Sequence, residues 1–140
     1  MGLDSGWTNI FHAMTGGGTC CKIGKRIPAI FVYDQSTRIH VCTSINDNGN
    51  HYFDKTIPMG EFTNFVIRQA LRHDGKYHFS LFINGKLINS VINDKPRVFN
   101  DVKVYASNRF YKASNAIIRN FKFESPIAPE CKLHAIIIRT

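Results

Sequence analysis

Carboxylates are scarce in this chain of 140 residues: 10 Asp and Glu stand against 18 Lys and Arg, and the glutamates are Glu61, Glu124 and Glu130 alone. A retaining glycosidase needs two carboxyl groups flanking one bond at roughly 5 Å. A strand of a β-sandwich supplies them as an E-x-D-x-E run, and no such run exists here. Other absences narrow the field further. No G-x-S-x-G sets a nucleophile on an elbow, and the histidines His12, His40, His51, His73, His78 and His134 never take the H-x-x-x-H spacing of a helical zinc site. The four cysteines form no C-x-x-C pair for a zinc ribbon. Gly16-Gly17-Gly18 is not followed by G-K-[ST], so it reads as a flexible loop and not a phosphate cradle. No apolar run approaches the roughly 18 residues that span a bilayer. Catalysis, cofactors and membrane insertion are therefore not expected.

The surplus of +8 is scattered. Its densest groups are Lys22, Lys25 and Arg26, then Arg109, Lys112, Arg119 and Lys122, with no four basic residues in succession. Such spacing reads as surface charge. With no RRM, KH, zinc-finger or helix-turn-helix signature beside it, nucleic acid is not an expected partner.

Apolar side chains make up 44% of the chain and aromatic ones 12%, enough for a real core, and the length suits one domain over residues 1–140. No segment sustains an i, i+3, i+4, i+7 stripe. Short Val, Ile, Phe and Tyr runs recur instead, cut by Gly, Asn, Asp and Pro. Strands are expected at Trp7 to His12, Pro28 to Tyr33, Arg38 to Ser44, His51 to Asp54, Thr63 to Gln69, Lys76 to Asn84, Lys86 to Asn93, Val102 to Ser107, Ala116 to Glu124 and Lys132 to Arg139. The fold class is all-β, an antiparallel two-sheet sandwich of about ten strands.

Asn84-Gly85 between two alternating runs demands a type I′ hairpin turn, because both central residues take positive φ. Asp34 to Thr37 reads as a second turn, Asn46 to Asn50 as a longer polar loop, and Pro126 and Pro129 as brackets of a crossing segment. Alternation sets Tyr77, Phe79, Leu81 and Ile83 against His78, Ser80 and Phe82. It likewise sets Val102, Val104 and Ala106 against Lys103, Tyr105 and Ser107, and Ile117, Arg119, Phe121 and Phe123 against Ile118, Asn120 and Lys122.

Cys20, Cys21, Cys42 and Cys131 admit two disulfides in an oxidising compartment, with three pairings open. Cys20 or Cys21 with Cys42 is the favoured pair, since the stretch between them reads as a loop and hairpin returning to its start. Buried free thiols in the cytosol are the alternative. Gly2-Leu3-Asp4 after Met1 carries no basic or apolar leader. A secreted or extracellular location without its leader is expected, with the cytoplasm as the alternative.

Sugar recognition asks for amide, carboxylate, imidazole or guanidinium groups that reach paired hydroxyls, and for a ring on which a pyranose stacks. Asn46, Asp47, Asn48, Asn50, His51 and Tyr52 supply that inventory within seven residues, although the same stretch also reads as an ordinary polar hairpin loop. His40 lies nearby on the solvent side if Ile39 and Val41 face the core. Asn108-Arg109-Phe110-Tyr111 is a second candidate, a guanidinium between rings, unless Phe110 or Tyr111 plugs the end of the sandwich. Asp47, Asn48, Asn50 and Asp54 offer oxygens to calcium, but without a bidentate Glu no metal is expected. Trp7 reads as core or rim packing.

The runs Gly75 to Lys86 and Asn93 to Asn108, with Ile118-Arg119-Asn120-Phe121, resemble the hairpin and closing strands of concanavalin A-like lectin and laminin-G-like sandwiches. Trp7 to His12 and Gly24 to Ala29 are similar to earlier strands of that superfamily. The resemblance implies a jelly roll that binds glycans or glycoconjugates, of β-galactoside or N-acetyllactosamine type, as a homo-oligomer. Its other implication is an adhesion module meeting proteins or sulfated polysaccharides through Lys22, Lys25, Arg26, Arg109 and Lys112. The galectin pairs H-x-N-x-R and W-x-x-E-x-R are absent, so no sugar site is carried over.

Overall fold

β-Branched and aromatic residues at alternate positions pair into ten strands in the computed structural model, which describes residues 6–16, 21–33, 35–124 and 131–139, with Glu124 and 131–137 described by backbone alone. They are β1 (Trp7–Thr15), β2 (Ala29–Tyr33), β3 (Arg38–Ile45), β4 (Asn48–Thr56), β5 (Phe62–Leu71), β6 (Tyr77–Ile83), β7 (Lys86–Asn93), β8 (Val102–Ala106), β9 (Ile117–Glu124) and β10 (Cys131–Arg139). All ten expected strands are present; β1, β3, β4, β5 and β10 run longer than expected, β2, β6, β8 and β9 one or two residues shorter. Every strand pairing is antiparallel, in two five-stranded sheets ordered β4-β3-β2-β1-β8 and β7-β6-β5-β10-β9. The last strand enters the second sheet between β5 and β9.

The two sheets meet through one apolar layer. Phe11 and Ala13, Ile30 and Val32, and Ile39 and Val41 of the first sheet pack on Phe65, Ile67, Phe79, Leu81 and Ile138 of the second. As alternation requires, Phe79, Leu81 and Ile83 face this layer. Each buried side chain of this size contributes about 1.5–3 kcal/mol. A clasp on the rim joins the sheets as well. The Asn46 side chain donates to the Ile92 carbonyl (2.9 Å) and accepts from the Asp94 amide (2.7 Å), while Asp47 pairs with Lys95 and Arg97.

Three local features depart from the sequence reading. Asn46 and Asp47 take φ of 51° and 61° and form a two-residue turn, so the expected loop from Asn46 to Asn50 is a tight hairpin and Asn48 to Asn50 belong to β4. Strict alternation fails in β9, where Asn120 at φ 52° lies in a bulge opposite β10. Ile118 faces the core before it, and Phe121 reaches the Phe11 ring after it (5.3 Å between centroids). Cys42 is a buried free thiol, which excludes the favoured Cys20 or Cys21 to Cys42 bond; Cys21 is disulfide-bonded, to a cysteine outside the described side chains. Asp34, Cys20, Gly17-Gly18, the Pro126 to Pro129 crossing and the Cys131 side chain also lie outside them. Asn84-Gly85 is the turn that was expected, at φ 50° and 79°.

A further bulge in β1 decides what the outer face of the first sheet carries. Asn9 pairs with Phe31 but Phe11 with Ile30, so Ile10 is the extra residue and Asn9 and His12 both point outward. Asn9 is fully buried and fixes this bulge. Its Nδ2 donates to the carbonyls of Phe11 (3.1 Å) and Ile30 (3.2 Å), and its Oδ1 accepts from the Asn108 amide (2.8 Å). Its backbone holds the β8–β9 connection through the Lys112 carbonyl (2.8 Å) and the Ser114 amide (3.0 Å). Asn9→Ala removes a buried side-chain hydrogen bond from each of three backbone groups and is expected to cost about 3 kcal/mol. Urea unfolding checks this: the midpoint falls while the slope stays unchanged, and a loss under about 1 kcal/mol would deny Asn9 this role.

Candidate functional site

Cross-strand register assembles the outer face of the first sheet. Phe31 pairs with His40, His40 with Asp54, and Cys42 with both Ala29 and Tyr52, so these side chains share one side. Tyr33 and Trp7 pair at the same face. The result is two stacked layers, an inner one buried against the sheet and an outer one open to water.

The inner layer is built around Arg26. The loop 21–26 lays this residue on the sheet, held by the Ser44 hydroxyl, which accepts from the Gly24 amide and donates to the Arg26 carbonyl (both 3.1 Å). Gly49 lets the loop approach, since a Cβ there would collide with the Cys21 carbonyl. The Arg26 guanidinium is 1% exposed and lies 5.2 Å from the Phe31 ring centre. It donates to Asn50 Oδ1 and to the Tyr111 hydroxyl (3.3 Å), and it bears on the Cys42 thiol. All four of these partners are neutral, and Nε has none among the described residues. A buried charge held by neutral groups is costly. Tyr111 closes the layer from the β8–β9 connection, edge-on to Phe31 (5.0 Å) and stacked on His12 (5.8 Å, 19°). The Cys42 thiol donates to the Ala29 carbonyl, and burial pushes its pKa up to about 12, so it is no nucleophile.

The outer layer carries His40, Asp54, Arg38, Trp7, Tyr33 and Tyr52. His40 Nδ1 lies 2.6 Å from Asp54 Oδ1, and Arg38 meets the other carboxylate oxygen. The His40 ring sits between Trp7 (5.1 Å) and Tyr52 (5.0 Å), and the Arg38 guanidinium lies 5.3 Å from the Trp7 ring. Tyr52 is 58% exposed and Tyr33 42%. Burial pushes the Asp54 carboxyl up, but the hydrogen bonds from Arg38 and His40 outweigh it and hold the group below its ordinary value. Asp54 is thus an ionised acceptor ringed by aromatic surface.

The sequence-derived residues divide among different places. His40, Asn50, Tyr52 and Tyr111 come together on this face. Asn46 and Asp47 are engaged in the rim clasp, and Lys95 and then Arg97 hold the Asp47 carboxyl below its usual range. Asn48 accepts from the Asn50 amide (2.9 Å), and His51 projects to the opposite side of β4 from Tyr52. Arg109 stands apart, 4.9 Å over Phe110, beside an open cleft. Arg26 and Lys25 are removed from the basic surface that the sequence suggests, Arg26 by burial and Lys25 by donating to the Thr15 carbonyl (3.0 Å). Trp7 packs on the rim of the face, outside the inter-sheet core. Arg38, Asp54, Tyr33 and Phe31 were not foreseen as members, though their positions in phase with His40 carry the signal.

Two cavities bear on the reading of the face. An apolar notch of about 60 Å³ between the sheets, by Ile27, Ile67 and Phe99, is too small for a sugar ring. The open cleft, of about 640 Å³, lies on the outer side of β1 and β8 under the 107–113 connection. Among the described residues no three His, Cys, Asp or Glu side chains converge as a metal site. Comparison with protein-family models, with curated proteins and with solved structures finds no match to this chain.

His12 and His40 are both held below the ordinary imidazole value, burial being the main cause in each. His12 Nε2 lies 2.6 Å from the Lys25 carbonyl, a bond that favours the proton there without offsetting burial. The unfolded chain therefore binds more protons than the folded one as pH drops below about 6.5, and stability falls with acidification through that window. Each histidine contributes a slope of at most about 1.4 kcal/mol per pH unit. Thermal unfolding followed from about pH 7.5 to 5 should show a falling Tm, with a shallower fall in His40→Gln. Identical profiles for the two proteins would mean that His40 does not titrate this way.

Proposed function

We propose that this chain is a non-catalytic carbohydrate-binding protein, a metal-independent lectin that receives glycans on the outer face of the first sheet. The observation that carries this reading is the aromatic rim of exposed Tyr33 and Tyr52 and half-buried Trp7 around the Arg38, Asp54 and His40 cluster. Flat rings match the apolar face of a pyranose, and a fixed carboxylate flanked by cationic and imidazole donors matches paired hydroxyls. Asp54, His40 and Arg38 orient one another, so the polar groups are set before a ligand arrives. A β-galactoside, with one apolar face and an axial hydroxyl, suits this arrangement. The all-β two-sheet architecture is compatible with the resemblance to concanavalin A-like and laminin-G-like sandwiches. The disulfide at Cys21 favours an oxidising, extracytoplasmic setting. A shallow face of this kind binds weakly alone and gains by multivalency, which favours a homo-oligomer.

A glycan array, followed by calorimetry on the retained sugars, tests the reading. A neutral galactoside should bind with little dependence on salt. Tyr52→Ala, at a ring that is largely exposed, should weaken binding about tenfold with Tm unchanged. Failure to retain any neutral glycan at low or high salt would sink it.

A further inference from the structure

The 640 Å³ cleft on β1 and β8 differs in chemistry from the rim around Asp54. Met14, 1% exposed, forms its floor, with Nδ2 of the Asn108 side chain donating to the sulfur at 3.1 Å. Lys103 and Tyr105 of β8 form one wall, and Arg109, Phe110 and Tyr111 of the connection form the other. Register puts Lys103 and Tyr105 outward, opposite Met14 and His12. Among the described residues no carboxylate lines the cleft, whereas two exposed cations and three rings do. Behind Tyr111 lies the buried Arg26 guanidinium, whose hydrogen-bond partners among the described residues are neutral, so a third positive charge stands at the inner end. Lys25 Nζ, held on the Thr15 carbonyl, adds a fourth near Gly16 at the margin. In a partly enclosed site such charges act together on one anion.

The cleft also connects to the candidate site. Tyr111 touches Phe31, Phe31 lies 6.3 Å from His40, and His40 adjoins Tyr52. From β4 to β8 the face crosses four strand spacings, about 19 Å in all, which is room for an oligosaccharide lying across the strands.

We propose that the cleft is an acidic-sugar subsite, in which Lys103 and Arg109 hold the carboxylate or sulfate of a sugar ring seated among Tyr105, Phe110 and Tyr111. This assignment rests on the glycan-binding reading and extends it: the ligand carries a neutral unit for the Asp54 end and an anionic unit for the Lys103 end. The two ends are electrostatically unlike, so the face also sets the direction in which the chain of sugars lies.

Matched oligosaccharides in neutral, carboxylated and sulfated forms, immobilised and probed at low and high salt, test it. Wild type should retain an acidic form about tenfold better than the neutral one at low salt, an advantage that shrinks as salt rises. The double variant Lys103→Ala with Arg109→Ala, at two exposed positions, should bring the acidic forms down to the neutral level while neutral retention and Tm stay unchanged. The carboxylated and sulfated arms identify the anion. Neutral binding with no acidic advantage, or an advantage that survives in the double variant, overturns the subsite and leaves the glycan reading standing. Acidic retention that the double variant abolishes, with no neutral binding and no effect of Tyr52→Ala, upholds the cleft and overturns the rim. Retention of no form overturns both.

Discussion

One buried amide governs the face on which the proposed chemistry lies. Asn9 bonds two carbonyls and one amide through its side chain and two further groups through its backbone, and together these hold the β1 bulge and the β8–β9 connection in one arrangement. Without the bulge, alternation from Trp7 would carry His12 toward the core and Phe11 toward water. Without the connection, Tyr111 would have nothing to hold it over Phe31 and Arg26. Apart from Phe11 and Ala13 of β1, the inter-sheet core needs neither, since most of its other Ile, Val, Phe and Leu side chains follow from plain alternation. The outer face therefore depends on a single polar residue, while the fold depends on many apolar ones.

The layering of that face has an energetic sense. Rings at the surface hold a ligand only if their own positions are fixed, and here Trp7, His40 and Tyr52 rest on the buried Phe31 and Arg26, with half-buried Tyr111 beside them. Arg26 is an expensive way to build such a support, because its charge meets an amide oxygen, a hydroxyl, a thiol and a ring face instead of a carboxylate. An apolar residue of similar volume would fill the space at lower cost. What it would not do is give Asn50 and Tyr111 fixed hydrogen-bond partners, or place positive potential under the sheet.

Most of the fold was legible because strands alternate with period two and the sequence keeps that period. Asn84-Gly85 marked its hairpin through the positive φ it requires, and Ile39 and Val41 fixed the outward direction of His40. Bulges were not legible, since Ile10 and Asn120 look like ordinary strand residues until the register of the partner strand is known. The 46–50 segment misled for a related reason: Asn-Asp-Asn-Gly-Asn holds more turn-forming residues than its turn uses, and the choice of Asn46-Asp47 falls to the contacts with Asn93, Lys95 and Arg97. Of the candidate site, the in-phase strand residues were within reach. Arg26 was not, because a basic residue in a loop carries no local mark of burial, and its burial follows from the folding of a distant segment over it.

That distance bears on how the molecule comes together. Asn9 and Asn108 are separated by 99 residues along the chain and Arg26 and Tyr111 by 85, whereas β3–β4 and β6–β7 pair across turns of two residues. Closing such long loops carries an entropic cost that is recovered only once both ends have docked. Hairpins of both sheets have their contacts available early, and the roof over Arg26 completes late. Until then the guanidinium remains hydrated and the rings above Phe31 lack their support. The proposed binding face is in this sense the final product of folding, complete when the last third of the chain returns to the first strand.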